Sequence, residues 1–271
     1  MESGAHSAPQ QQPSYARPKV IAAGSFTIAY TDEGAGSATA VTVPGLPGSN
    51  RDFRWLAPLL SPHMRVIRMD PPGYGRSPRP NDSGMSVAER AAATEDLLDA
   101  LDLGPVMLIS HSAGGVVAAR LARMHPQRIT SLAMLAPPGP EPHFDQRPLR
   151  RMAPVLATAP GAWVMKNRIR SQYREMGFPR YLRDDEMRFA LLDAAKMDFA
   201  DYAEDAAGLS QRTLVSWAGD DHVISDTLTA DLVDLVPRSQ ALRFDDGGHS
   251  IPKTRAKELA PAILALAGTS G

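Results

Sequence analysis

Cysteine is absent from the 271 residues. That excludes structural disulfides, thiol nucleophiles and zinc–thiolate sites. No apolar run is long enough to cross a bilayer; the nearest candidates, residues 106–109, 129–135 and 262–266, are far too short. Residues 1–18 are rich in Ser, Ala, Gln and Pro and lack the apolar stretch of a secretory signal. They are expected to form a flexible tail, with the option of packing as an arm on a second copy of the chain. Net charge is missing too. Basic and acidic residues number 29 and 30, for a formal charge of -1, so nothing pulls the chain generally toward nucleic acid or an acidic membrane. No internal repeat or interdomain linker is visible. These absences point to a cytoplasmic protein with neither nucleic acid nor membrane as partner, and they leave a homodimer open.

What is present is an ordinary globular composition, 43% hydrophobic and 22% charged, in a length that suits one large domain carrying an insertion. Residues 19–22, 26–31, 40–43, 65–69, 106–109, 129–135, 213–217 and 241–244 read as strands. Helices are expected over 53–60, from Ser86 to Gly104, and over 113–124, 227–235 and 254–267, with Pro261 kinking or interrupting the last. Ser86 followed by Glu89 is a capping-box pattern. Strands alternating with helices imply an α/β fold, a mostly parallel central sheet with helices on both faces. The alternation lapses from Ala136 to about Leu209, where no strong strand candidate occurs. A helical lid over residues 139–209 is therefore expected between core segments 19–138 and 210–271.

Three residues carry candidate chemistry. Ser112 lies in Ser110-His111-Ser112-Ala113-Gly114-Gly115, directly after a compact buried strand and before a helix. A nucleophile on such a strained turn needs small residues two before and two after it, which Ser110 and Gly114 satisfy. The turn would also set the Ala113 N–H at a helix N-terminus, able to stabilise an oxyanion. The competing reading is that Ser112 merely caps the helix. Asp221 follows the strand 213–217, at the sheet edge where α/β folds place their sites. It could orient a histidine, although turn-forming Asp is common and Asp220 competes for the role. His249 lies in a Gly-rich loop after the strand 241–244, from which it could reach Ser112 as a base; a surface histidine is the plain alternative. Ser, then Asp, then His, each after a different strand, is the chain order of one known type of triad. Pro44-Gly45-Leu46-Pro47-Gly48 follows another strand. Leu46 would supply a second oxyanion N–H, since the flanking prolines cannot, though the segment also reads as an ordinary turn.

These residues resemble the α/β-hydrolase superfamily, and the likeness covers nearly everything after Lys19. It rests on residues 44–48 with Trp55, on Asp70-Pro71-Pro72-Gly73-Tyr74-Gly75-Arg76-Ser77, on residues 111–115, on Trp217 to Asp221 and on Gly248-His249. The resemblance implies that Asp221 rather than Asp220 is the acid and His249 the base. Two positions depart from it: Pro44 stands where the family usually has a histidine that helps hold the oxyanion loop, and Ser110 where it usually has glycine. A serine nucleophile argues against the dehalogenases and typical epoxide hydrolases of this fold, which use aspartate.

The expected activity is hydrolysis of a carboxylic ester or lactone of an apolar small molecule through an acyl-enzyme on Ser112, with no metal or organic cofactor. The alternatives are a C–C bond hydrolase, a non-hydrolytic tailoring enzyme, or a ligand-binding protein of the same fold. The lid is rich in Met and aromatic residues, Met152, Trp163, Met165, Met176, Phe178, Tyr181 and Phe189 among them, which predicts an apolar, adaptable pocket. Its basic residues crowd the first half and its acidic residues the second. They are expected to pair across the lid, with a carboxylate-binding lid arginine as a lesser option.

Overall fold

The structure, a computed structural model, describes residues 12–175 and 183–269. Eight strands form one sheet in the order β1-β2-β4-β3-β5-β6-β7-β8. They are β1 (Lys19–Ala23), β2 (Phe26–Glu33), β3 (Thr39–Val43), β4 (Arg65–Asp70), β5 (Val106–His111), β6 (Ile129–Leu135), β7 (Arg212–Ala218) and β8 (Ser239–Phe244). The hairpin β1–β2 and the β2–β4 pair are antiparallel. From β4 to β8 all pairing is parallel, so the loops leaving β3, β5, β7 and β8 emerge at one edge. That is where sheets of this kind gather their functional groups.

The central strands are buried along their length, β3, β5 and β6 almost without an exposed residue, as sheets covered on both faces require. One face packs against α2 (Val87–Ala100), α3 (Gly114–Met124) and α8 (Asp226–Leu235), and the other against α1 (Ala57–Leu60) and α10 (Ala256–Ala267). The capping box that opens α2 is formed: the Ser86 hydroxyl accepts from Glu89 N at 3.2 Å, and Glu89 accepts from Ser86 N at 2.6 Å. Losing such a cap costs about 1 kcal/mol.

Two helix expectations need correction. The expected helix 53–60 is a 3-10 turn (Asn50–Phe53) followed by the single-turn α1, with Pro58 in the first turn, where its missing N–H breaks no helical bond. The C-terminal helix is not interrupted at Pro261. The break falls at Arg255, between α9 (Ile251–Thr254) and α10, and α10 runs on through the proline. Only one backbone bond is forfeited there, while Leu259, Ala260, Ile263, Leu264 and Leu266 stay buried against the sheet.

Between β6 and β7 lie α4 (Gln146–Leu156), α5 (Ala159–Glu175), α6 (Asp184–Ala195) and α7 (Phe199–Ala207). The last is not a roof. Phe199, Tyr202, Ala206 and Leu209 are spaced as one helical stripe and join the core that α3 shares with the sheet. Helix α7 thus serves the β6-to-β7 crossover, and α4–α6 form the cap. Beneath them a third apolar cluster includes Tyr74, Met85, Leu156, Ile169, Met187 and Phe189. Buried at its edge, Asp193 accepts from Tyr74 Oη at 2.6 Å and Met85 N at 2.6 Å and pairs with Arg90. The charges do not simply pair across the lid. Arg170 and Lys166 meet Asp184 within it, but Asp185 meets Arg79, Asp193 meets Arg90, and Asp201 and Asp205 meet Arg120. Among the described residues, half of the insertion's ion pairs join it to the core.

The N-terminal segment also differs from expectation. Ser14 N donates to Arg54 O at 2.6 Å, and the Ser14 hydroxyl bonds Glu33 and accepts from the buried Arg68 at 2.9 Å. Ser14 therefore ties this segment to the chain's own core. Residues 1–11 fall outside the described part.

Candidate active site

Ser112 follows β5 with φ +53°, the left-handed region that a side-chain-bearing residue rarely enters. Two close approaches make this turn possible. A Cβ on Gly114 would fall 2.2 Å from Val43 O, and one on Gly45 would fall 2.9 Å from Ser112 Cβ. Glycine is needed at both places so that the loop after β3 can press on the nucleophile turn. Ser110, fully buried, fits where the resemblance expects glycine. The capping alternative for Ser112 is not realised: the N-cap of α3 is Ala113, in helical conformation.

The three candidate side chains come together. His249 Nε2 lies 2.9 Å from Ser112 Oγ, and His249 Nδ1 lies 2.8 Å from Asp221 Oδ2. The other carboxylate oxygen of Asp221 accepts from Val223 N at 2.7 Å and Ile224 N at 3.1 Å. Burial pushes the Asp221 carboxyl upward, but the bond to His249 and these two N–H groups outweigh it, and its pKa is held below the usual range. The carboxylate is charged at neutral pH and fixes the tautomer that leaves Nε2 facing the hydroxyl. Asp220 has a different task. It accepts from Gly248 N at 2.8 Å and so pins the loop that carries the histidine.

Sequence reasoning passed over His111. Its Nε2 sits 2.8 Å from the backbone carbonyl of His249, and the two rings lie 5.0 Å apart. Burial first, then the nearby His249, pushes its pKa down to about 3, so the ring is neutral and its N–H donates to that carbonyl. Consecutive residues 111 and 112 therefore both grip residue 249, one by its backbone and one by its ring. The signal in the sequence was the histidine beside the serine, which carried no role until the fold brought residue 249 over it.

Above Ser112 opens a cleft of about 840 Å³. Among the described residues its lining mixes apolar and charged groups, where an apolar pocket is expected. Leu46, Tyr74 and Val223 are present, but so are Arg51, Arg54, Arg76, Arg183, Lys253, Asp52, Asp70 and Glu186, together with Ser14 to Ala16 and Pro18 of the N-terminal segment. Of the Met and aromatic residues in the insertion, Trp163 is 78% exposed; Met176, Phe178, Tyr181 and Leu182 lie outside the described residues. Leu46 belongs to the loop that Gly45 presses on Ser112, and Ala113 opens α3. Both candidate oxyanion N–H donors are thus on segments adjoining Ser112.

Residues 41–162 match the family described as the alpha/beta hydrolase fold. Among curated proteins, the chain is 27% identical over 264 residues to a 2-hydroxymuconate semialdehyde hydrolase of a Pseudomonas species, covering 89% of this chain and 90% of the relative. It is 24% identical over 246 residues to the dihydrolipoyllysine-residue acetyltransferase component of the acetoin cleaving system of Cupriavidus necator, covering 85% of this chain but only 64% of that longer protein. Among solved structures, a thermophilic esterase from Thermogutta terrifontis superposes with a TM-score of 0.74 at 22% identity, over 92% of this chain and 97% of the other.

Proposed function

The chain belongs to the α/β-hydrolase superfamily, and from that premise we propose that it cleaves a carboxylic ester or lactone of a small molecule through an acyl-enzyme on Ser112. The observation that carries the proposal is the unbroken relay from Ser112 Oγ through His249 to Asp221, at 2.9 and 2.8 Å, on a turn whose backbone lifts the hydroxyl out of the sheet. His249 Nε2 takes the Ser112 proton as Oγ attacks the carbonyl carbon. Asp221 stabilises the imidazolium, and the N–H groups of Leu46 and Ala113 receive the oxyanion. The imidazolium then protonates the leaving alkoxide. Water, deprotonated by the same nitrogen, releases the acid and restores the serine.

Labelling by a fluorophosphonate probe and turnover of 4-nitrophenyl esters test this reading. Ser112→Ala is expected to abolish labelling and to lower turnover by about 10³-fold or more, with little change in Tm. Near-normal rates in that variant would overturn it. A second reading, hydrolysis of a C–C bond next to a carbonyl, is favoured by the likeness to the 2-hydroxymuconate semialdehyde hydrolase along almost the whole of both chains. The same relay would serve it. Comparing simple esters with vinylogous 1,5-diketones separates the two.

A further inference from the structure

We propose that the substrate carries a carboxylate besides the bond that is cleaved, and that Arg54, Arg76 and Lys253 draw it into the cleft. The inference rests on the serine-hydrolase reading and names its substrate class.

Charge around the cleft does not balance. Of the acidic residues in its lining, Asp70 is committed: it accepts from Asn50 N and Asn50 Nδ2, both at 2.7 Å, and from Arg76 N at 3.0 Å. Glu186 is committed to Arg183, accepting its N–H at 3.1 Å and pairing with its guanidinium. Asp52 sits against Gly48 under the oxyanion loop and accepts from Ser49 N at 3.1 Å; burial pushes its carboxyl up to about 7, so it carries only part of a charge at neutral pH. The cations divide differently. Arg68 is bound to Glu33, and Arg183 to Glu186 and Asp185. Arg54, Arg76 and Lys253, all in the cleft lining, have no described carboxylate within ion-pair distance, although Arg54 and Arg76 feel the charges of Asp52 and Asp70. The lining still holds six cationic side chains against three acidic ones.

These three come from separate parts of the chain: the turn after β3, the loop after β4, and α9. Their convergence on one concave surface leaves it with an excess of positive charge. A cleft with low-dielectric walls focuses such a field and raises both the encounter rate and the affinity of an anion. Arginine forks and a lysine ammonium match a carboxylate directly. The whole chain carries a formal charge of only -1, so the bias is local to the site.

The test uses two matched pairs of esters with the full-length protein: 4-nitrophenyl butyrate against mono-(4-nitrophenyl) glutarate, and phenyl acetate against 4-carboxyphenyl acetate. The first pair places the carboxylate on the acyl side and the second on the leaving group. After subtraction of spontaneous hydrolysis, kcat/KM in one pair is expected to favour the carboxylate-bearing ester by about tenfold at low salt. The ratio should shrink as salt rises from about 20 to about 500 mM. Arg54→Gln, Arg76→Gln and Lys253→Gln, combined, should bring it toward one while fluorophosphonate labelling shows the fold and nucleophile intact. Ratios at or below one in both pairs, or ratios indifferent to salt and to the triple substitution, overturn the proposal. If the neutral esters and the probe react but the carboxylate brings no gain, only the substrate class falls. If neither the probe nor any ester reacts, the serine reading has fallen instead.

Discussion

The sheet edge and the cap are built on opposite plans. At the edge, every group of the proposed relay is held by short local turns rooted in parallel strands: Ser112 by its own left-handed backbone after β5, Asp221 by two backbone N–H groups after β7, and His249 by Asp220, which pins its loop, and by His111 beside it. The α4–α6 insertion rests on an apolar cluster that includes Tyr74, Met85 and Phe189. Ion pairs and the buried Asp193, which meets Tyr74, Met85 and Arg90, tie it to the core, while Trp163 and Val164 stay exposed. The contrast teaches that the proposed relay is positioned by backbone geometry, whereas the insertion is attached by side-chain packing around a buried polar group. Substitutions in the first region should change rates without changing stability, and those in the second the reverse.

The sharpest separation comes from Asp221→Asn. An amide can offer its N–H where His249 needs an acceptor, so the wrong tautomer is favoured; kcat is expected to fall by about 10³- to 10⁴-fold, with Tm nearly unchanged by calorimetry. Asp193→Ala is the counterpart in the cap. It strands the buried Arg90 without its carboxylate, and denaturant unfolding should show a loss of about 3–5 kcal/mol, while the enzyme that remains folded keeps its kcat. If Asp193→Ala instead lowered kcat at full stability, the division between the two regions would be wrong.

Smaller effects refine the boundary. His111→Phe keeps a ring against His249 but removes the donor to its carbonyl; kcat should drop about tenfold with KM little altered, and His111→Gln, which restores an N–H, should recover part of it. Asp52→Asn probes the seam under the oxyanion loop. Because the folded pKa of Asp52 is raised to about 7, the native state holds a proton that the unfolded chain has lost. Wild-type stability should therefore decline as pH rises from about 4 to about 7 and level off above that. The Asn variant lacks this decline, so its advantage at pH 8 over pH 4 should be about 2 kcal/mol, allowing for the part of the residue that meets solvent. Equal pH profiles by thermal unfolding would remove Asp52 as a titrating group.

The same division governs what could be read from the sequence. The strands were legible because short β-branched runs ended in Gly, Pro or Asp. The three residues of the relay were legible because each lies within a few residues of a strand end. The role of His111 was not, since it depends on a carbonyl 138 positions away. Helix α7 was mistaken for part of the roof because a stripe such as Phe199, Tyr202 and Ala206 looks the same whether it covers a sheet or a pocket. The charged part of the pocket lining was not legible for a related reason. Composition showed an apolar lid, but the described walls of the cleft are supplied largely by core loops and the N-terminal segment, whose charges meet only in three dimensions.

The backbone of Ser112 has a consequence for how such a protein can be made more robust. A residue held at φ +53° sits about 1 kcal/mol or more above its relaxed state, and glycine alone would occupy that place at no steric cost. Selection for heat resistance alone would therefore favour discarding the one hydroxyl on which turnover is proposed to depend. Durability and catalysis compete at a single atom of the chain, and any thermostable variant that stays active must find its gains elsewhere.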